Sequence, residues 1–319
     1  MRRLVTAACA LLFAASAYAS SDVIRRGFNV ADGGTLELEA GIGNITVVAG
    51  GSGVAFEVHR DARGRGGEEQ MASHKITFTQ RGNDVVVDGK LEDRWHNWFR
   101  NGDYEVQWNI RVPAHYNVRL RTSGGSIDLA DLGGTVNAYT SGGSIKTGKL
   151  AGAATLNTSG GDITLAGARG NVTAHTSGGS IEVGDTTGAV DVRTSGGSIH
   201  IARTGGNVIA RTSGGGIRID DALGSVDATT SGGSIEAQLS RQPAGDSRLS
   251  TSGGGVTVRI ASGLGFELDA RASGGGVHSD VPVTVQGSID DDEMHGRING
   301  GGPRLVLRSS GGGIRVRNL

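Results

Sequence analysis

Cysteine is nearly absent from this chain. The only one, Cys9, lies in an N-terminal stretch that reads as an export signal. Arg2 and Arg3 give that stretch a positive start, Leu4 to Ala15 an apolar run, and Ala17-Tyr18-Ala19 a small-x-small cleavage site, which places the cut before Ser20. Cys9 makes a poor lipid anchor, because Thr6 stands where a lipobox has leucine. The processed chain then has no disulfide and no thiolate chemistry. Aromatic residues make up only 4% of the chain, so any core is thin. Long apolar runs are missing as well. The signal's own run is too short to span a bilayer as a helix, and no later segment is more apolar. An excess of one charge is also lacking. Taking Arg2 and Arg3 from the 31 basic residues leaves 29 against 32 acids, a net charge of −3. That balance carries no footprint for nucleic acid.

Glycine is abundant, with 57 residues, while there are only 4 prolines. Such a composition fits either disorder or a repeat with many tight turns, and periodicity decides for the repeat. Ser-Gly-Gly occurs ten times, beginning at Ser123, Ser141, Ser159, Ser177, Ser195, Ser213, Ser231, Ser252, Ser273 and Ser310. The first seven copies are 18 residues apart, the next two steps are 21, and the last is 37. A fixed period of this size is the mark of stacked units, each burying the apolar face its neighbour leaves bare.

One unit, Thr194 to Arg211, shows the local logic. Ile199 and Ile201 alternate with polar residues, and so do Val208 and Ala210, the pattern of two half-buried strands. No window shows helical spacing. Three apolar columns recur: Ile127 to Ile235, Val136 to Val226 and Ala138 to Ala228, each at 18-residue steps. Gly134 to Gly224 mark a fixed corner, where glycine supplies positive φ or close backbone approach. The threonines preceding Ser-Gly-Gly share the inward parity, predicting a buried hydroxyl ladder from rung to rung rather than an outward ice-binding array. The outward column Asp128, Lys146, Thr164, Glu182, His200, Arg218, Glu236 mixes its charges and reads as a solvated face.

These features predict an all-β, single-stranded parallel β-solenoid of about 18-residue rungs with an irregular β-rich N-terminal cap. We expect a signal peptide over 1–19 and a cap over 20–116 that includes a degenerate rung at 36–47. The regular solenoid follows over 117–280, and an irregular insert with a closing rung occupies 281–319. Arg315 and Arg317 would then put charge on the final edge strand and discourage end-to-end pairing.

The repeated Thr-Ser-Gly-Gly-Ser-Ile, the lead-in Ile110-Arg111-Val112-Pro113 and the closing Ile298-Asn299-Gly300-Gly301-Gly302-Pro303 together resemble the bacterial "putative adhesin" β-strand-repeat family, the DUF4097 type. The resemblance covers nearly the whole processed chain. It implies an exported or envelope-associated solenoid with no established enzymatic activity, and it offers no catalytic residues.

The sharpest departure from the repeat is Arg94 to Tyr104, which with Trp108 holds all three tryptophans. Aromatic faces beside Asn, Asp and Arg give large contact area at low entropic cost, as a glycan or protein surface requires. The candidate contact residues are therefore Trp95, His96, Trp98, Arg100 and Tyr104. The competing reading packs these rings into the cap; Trp108, on a strand, belongs to the interior. No catalytic, cofactor or metal residues are nominated. The repeats lack the aspartate of calcium-binding nonapeptide rolls, Asp290 to Glu293 lack EF-hand spacing, and the histidines show no ligand spacing. Gly143 to Lys149 imitates a phosphate loop, but Leu150 replaces the required hydroxyl residue. Asp185, Asp220 and Asp221 sit alone on corners, whereas general acid–base work needs two groups converging on one bond. The functional expectation is a non-enzymatic, adhesin-like or structural protein. It would be periplasmic, outer-membrane-associated or extracellular, with an envelope glycan or surface protein as partner. The alternative is a β-helix that binds or cleaves polysaccharide.

Overall fold

A computed structural model describes residues 19–91, 103–285 and 290–319. The expected signal peptide lies outside these residues except for its last, Ala19, which opens the strand Ala19–Phe28. Each 18-residue unit forms one rung of a parallel β-solenoid and gives one strand to each of two long sheets, of 14 and 15 strands. Ile199–Thr204 belongs to the first sheet and Val208–Arg211 to the second. The predicted columns are in register. Ile199 pairs with Ile181 and Ile217, Val208 with Val190 and Val226, and Ala210 with Val192 and Ala228. All are buried, and the inward side chains of both sheets form one continuous apolar cluster. Each such isoleucine contributes on the order of 2 kcal/mol through burial.

The strand carrying the isoleucines runs further than its alternation suggests. Ile199 and Ile201 are buried, and so is Thr204, although its parity is opposite. The strand bends between Ile201 and Thr204, and the bend creates a fourth inward column: Leu132, Leu150, Ala168, Thr186, Thr204 and Ala222.

The Thr-Ser-Gly-Gly turn has a definite hydrogen-bond role. The Thr194 hydroxyl donates to the carbonyl of Gly179 in the preceding rung at 2.7 Å and accepts from the Gly197 amide at 3.4 Å. Thr140, Thr158, Thr176, Thr212, Thr230 and Thr251 repeat the donation at 2.6–2.8 Å. The expected ladder is thus inward, but each hydroxyl bonds a glycine carbonyl rather than the next hydroxyl. The last glycine of each turn is required by close approach, not by positive φ. A Cβ on Gly197 would lie 2.2 Å from the Gly179 oxygen, and none of these turn glycines is among the positive-φ residues.

At both ends the order of rungs in space differs from their order in the chain. Thr35–Glu39 and Asn44–Ala49 stack on the first regular rung, with Leu36 opposite Val118 and Ile45 opposite Ile127. A later rung, Asp84–Asp88 with Asp103–Val112, packs outside them. At the other end, Arg304–Ser309 inserts between Ser247–Thr251 and Phe266–Ala272. Ile314–Asn318 likewise inserts between Val256–Ile260 and Val277–Ser279. The last strand is therefore not an edge, contrary to the sequence expectation. Ile314 and Val316 are fully buried, and Arg317 faces Asp280 at 3.7 Å. The actual outer strands are Val277–Ser279 in one sheet and Val283–Val285 in the other.

Sequence spacing gave no helix, yet Gly64–Ser73 is one. It has no side-chain N-cap and no acidic first turn, so local signals do not make it. It is held by packing. Gly66 and Gly67 are buried, and a Cβ on Gly67 would meet the Asp103 carbonyl at 2.3 Å. The Arg60 guanidinium caps the far end by donating to the carbonyls of Met71 at 3.4 Å and His74 at 3.2 Å.

Two predictions test this architecture. Thr194→Val keeps the side-chain shape but leaves the half-buried Gly179 carbonyl without its donor. It should lower unfolding free energy by about 1–3 kcal/mol, with Thr194→Ser losing less, as read from urea midpoints. Removing residues 303–319 should strip hydrogen-exchange protection from 266–298 while leaving 127–240 protected. Retained protection over 266–298 would contradict the insertion.

Candidate functional site

Of the five candidate contact residues, Trp95, His96, Trp98 and Arg100 lie outside the described residues. Tyr104 lies within them, together with the ground on which the segment begins and ends. On one side Leu91 forms an isolated antiparallel bridge with His74. On the other, Asp103 opens the strand Asp103–Val112, opposite Arg63.

Between these points is a buried polar cluster. The ring of His74, 3% exposed, lies edge-on to both Tyr104 and Trp108. Its Nε2 is 2.6 Å from the Gly89 carbonyl, and its Nδ1 is 2.7 Å from the Tyr104 hydroxyl. A carbonyl can only accept, so Nε2 carries the proton and Nδ1 accepts from Tyr104. Trp108 is fully buried, as its place on a strand predicted, and its indole N–H donates to the Ile42 carbonyl at 3.1 Å. Tyr104 is half-buried, its hydroxyl engaged by His74, and burial pushes its pKa up to about 12. Arg60 links the cluster to Asp22 through an ion pair, and the hydrogen bond from Arg60 holds the Asp22 carboxyl below its usual range. Phe28, Phe56 and Phe78 pack together nearby, with ring centroids 5.2–6.2 Å apart. The described rings of the cap thus face inward.

One aromatic ring does not. Tyr139 is 37% exposed, the only aromatic side chain in the exposed class among the described residues. It stands in the outward column Glu39, Arg121, Tyr139, Asn157, His175, Arg193 of the second sheet. The Arg121 guanidinium lies 4.7 Å from its ring centre. Two hollows share Glu39, Arg121 and Tyr139. One, of about 490 Å³, is also lined by Lys90, Leu91, Ser123 and Ser141. The other, of about 230 Å³, is also lined by Asn137, Thr155 and Asn157. The first hollow therefore borders Leu91, the root of the tryptophan segment. Sequence parity could have marked Tyr139 as outward, and its aromatic type breaks the column.

Two of the three carboxylates considered as catalytic candidates, Asp220 and Asp221, have structural partners. Asp220 meets His200 at 2.8 Å and Arg218 at 2.7 Å. Burial pushes its pKa up, but the hydrogen bonds from His200 and Arg218 outweigh this and hold it below the ordinary value. Asp221 pairs with Arg203 at 2.8 Å and accepts from the Ser240 hydroxyl. The mixed outward column is knit in the same way, with Glu236 between Arg218 and Arg259. Among the described residues, no group of three or more His, Cys, Asp or Glu side chains could hold a metal ion. Among them, too, no helix is long and apolar enough to cross a membrane.

The family model for Toastrack DUF4097 matches residues 35–317, from the first strand of the inner N-terminal rung to the last strand of the chain. The chain belongs to the Toastrack family. The match bears out the resemblance carried by the repeats and by the lead-in and closing motifs. Among solved structures, the Toastrack chain is similar to a "putative adhesin" from Bacteroides fragilis, at 14% identity and a TM-score of 0.35, covering 93% of this chain and 97% of that one. It is also similar to a "putative lipid binding protein" from Parabacteroides distasonis, at 14% identity and a TM-score of 0.37, covering 92% and 96%. Likenesses at these scores carry no argument about function. No curated protein matches the chain.

The buried His74 gives a pH prediction. Its pKa is held below the ordinary 6.5 chiefly by burial, helped by the charge of Arg60 and opposed by the bond to Gly89. Below pH 6.5 the unfolded chain therefore binds a proton that the folded chain resists. The His74 contribution should be constant above about pH 7 and should fall as pH drops through 6.5 toward the folded value. Urea midpoints should decline from about pH 7.5 to about pH 5.5, and His74→Gln, less stable at the upper end, should flatten that decline. An equal slope in both proteins would disprove the assignment.

Proposed function

We propose that this Toastrack protein is an exported, non-enzymatic interaction protein of the cell envelope or cell surface. In this reading the solenoid is a rigid spacer, and the segment bearing Trp95, His96, Trp98 and Arg100 makes the contact with an envelope glycan or a surface protein. The observation that carries the reading is the anchoring of that segment. It begins and ends beside the buried His74–Tyr104–Trp108 cluster, so its two roots rest on packed ground. Binding constellations work best when the framework beneath them is rigid. The non-enzymatic part is supported by the carboxylates. Asp220 and Asp221 are committed to arginine, histidine and serine partners rather than aimed together at a common point.

The test uses the chain from Ser20 with Trp95→Ala and Trp98→Ala combined. The double variant should keep the thermal midpoint of the parent and bind cells or purified envelope about tenfold or more weakly, the loss expected when aromatic anchors are truncated. Loss of folding would instead make the two rings part of the cap. Turnover of a polysaccharide by the parent would overturn the non-enzymatic reading.

A further inference from the structure

We infer that the outward face around Tyr139 is a second contact surface, one that takes a saccharide bearing a carboxylate. The inference rests on the reading of the chain as an interaction protein, but on residues outside the tryptophan segment.

Regular rungs need only small, polar or charged residues facing outward, and an exposed aromatic ring does nothing for the stack. Tyr139 nevertheless presents one at a place where the surface is hollowed on both sides. A rigid ring with two rotatable torsions provides contact area at little entropic cost. Around it stand side chains that both donate and accept. Asn137 and Asn157 have planar amides, and Thr155, Ser123 and Ser141 have hydroxyls. A flat ring flanked by amides and hydroxyls suits a sugar, which has an apolar ring face and a rim of hydroxyls.

Charge narrows the class. Lys90 is paired with Glu39 and lies 3.8 Å from Asp88, and Arg119 lies 3.7 Å from Glu37. Arg121 has no carboxylate partner among the described residues, and its guanidinium is held against the Tyr139 ring. Arg121 is thus a basic side chain of this face with no carboxylate in ion-pairing reach among the described residues, and its planar fork binds carboxylates in bidentate fashion. A carboxylate on the sugar that stacks at Tyr139, or on its neighbour, would meet it. An extended peptide is a poorer occupant. Val136–Tyr139 is hydrogen-bonded to a parallel strand on each side, so its backbone has no free edge on which to add a strand.

The experiment measures binding of oligogalacturonate and of its neutral methyl ester to the chain from Ser20. It compares the parent with Tyr139→Ala, Tyr139→Phe, Arg121→Gln and, as a control three rungs along the same column, Arg193→Gln. Thermal midpoints are recorded for each protein. The parent should prefer the acid. Tyr139→Ala should weaken binding by about tenfold or more, and Tyr139→Phe should retain it, because the ring face carries the contact. Arg121→Gln should erase the preference for acid over ester, and Arg193→Gln should change nothing. No saccharide binding by the parent, or equal binding by folded Tyr139→Ala, would overturn the inference. Equal competition by poly-glutamate would do so too, since it would reduce the face to a general anion site. If the parent binds cells while the Tyr139 and Arg121 variants bind them equally well, this inference falls and the proposed function stands. If the parent binds neither cells nor saccharide, both fall.

Discussion

The whole stack depends on a bond between one threonine hydroxyl and one glycine carbonyl, made once per rung. The carbonyl of Gly179 points at the next rung from a turn so close to its neighbour that no Cβ fits between them. That closeness leaves little room for water, so the carbonyl must be satisfied from within the protein. Thr194 does this from the inward side. Threonine and glycine in the motif therefore answer one requirement from two directions, which is why they recur together, at an 18-residue interval through the first seven copies. The same requirement explains where threonine is replaced. Ala40 occupies the position in the inner N-terminal rung, whose outer neighbour runs through Gly89 and Lys90 and has no such turn. Ala272 occupies it in the outermost C-terminal rung. There the Ser309 hydroxyl lies 2.7 Å from the Gly312 carbonyl of its own turn and 2.8 Å from the Gly254 carbonyl, and its single proton is divided between them. A hydroxyl at Ala40 would be buried without that acceptor.

Because neighbouring rungs make nearly all the contacts, the ends are where the fold must be closed by other means. Both ends use displacement. A rung later in the chain caps the N-terminal side, and the last rung slides inward while an earlier one moves out. Sequence patterning could not show this, since Leu268 and Ala270 carry the same inward alternation as Leu305 and Leu307 and either pair could stack on Leu249. Alternation specifies which face of a strand is buried but not which rung lies beneath it. The 37-residue gap between the last two Ser-Gly-Gly copies is the trace of the excursion. It holds the antiparallel strands Val283–Val285 and Glu293–Ile298, which cover the outer rung. Asp269 fixes this end by charge. Burial pushes its carboxyl up in pKa, but the hydrogen bond and charge of Arg308 and the charges of His295 and Arg271 outweigh this and hold it down.

The columns were legible because three of them alternate with period two and repeat without error. The fourth was not, because the bend after Ile201 reverses the parity of Thr204 and hides an inward residue among corner residues. The helix Gly64–Ser73 was invisible for a different reason. Its four-residue start, Gly-Arg-Gly-Gly, opposes a helix locally, and only packing against the cap and the Arg60 clamp make it favourable. For the candidate site, parity placed Trp108 inside correctly, while composition drew attention to Tyr104 as a contact although His74 engages its hydroxyl. Tyr139 was overlooked because a single tyrosine is inconspicuous in composition and stands out only against its own column.

That contrast suggests where function can reside in such a molecule. An outward residue on a regular rung meets other outward side chains, along its own column or the next, so it can change without disturbing the hydroxyl–carbonyl bonds beneath. Arg121 and Tyr139 can thus be shaped for a ligand at little cost to the stack. The cap has no such freedom. His74, Tyr104 and Trp108 are at once the core of the cap and the footing of the tryptophan segment, so a change there alters stability and presentation together. The two proposed contact surfaces would thus draw on both regions, one rooted in ground constrained by folding and one on a column free of it. A ligand spanning both would be held at one end by a surface whose footing cannot vary and read at the other by an adjustable column.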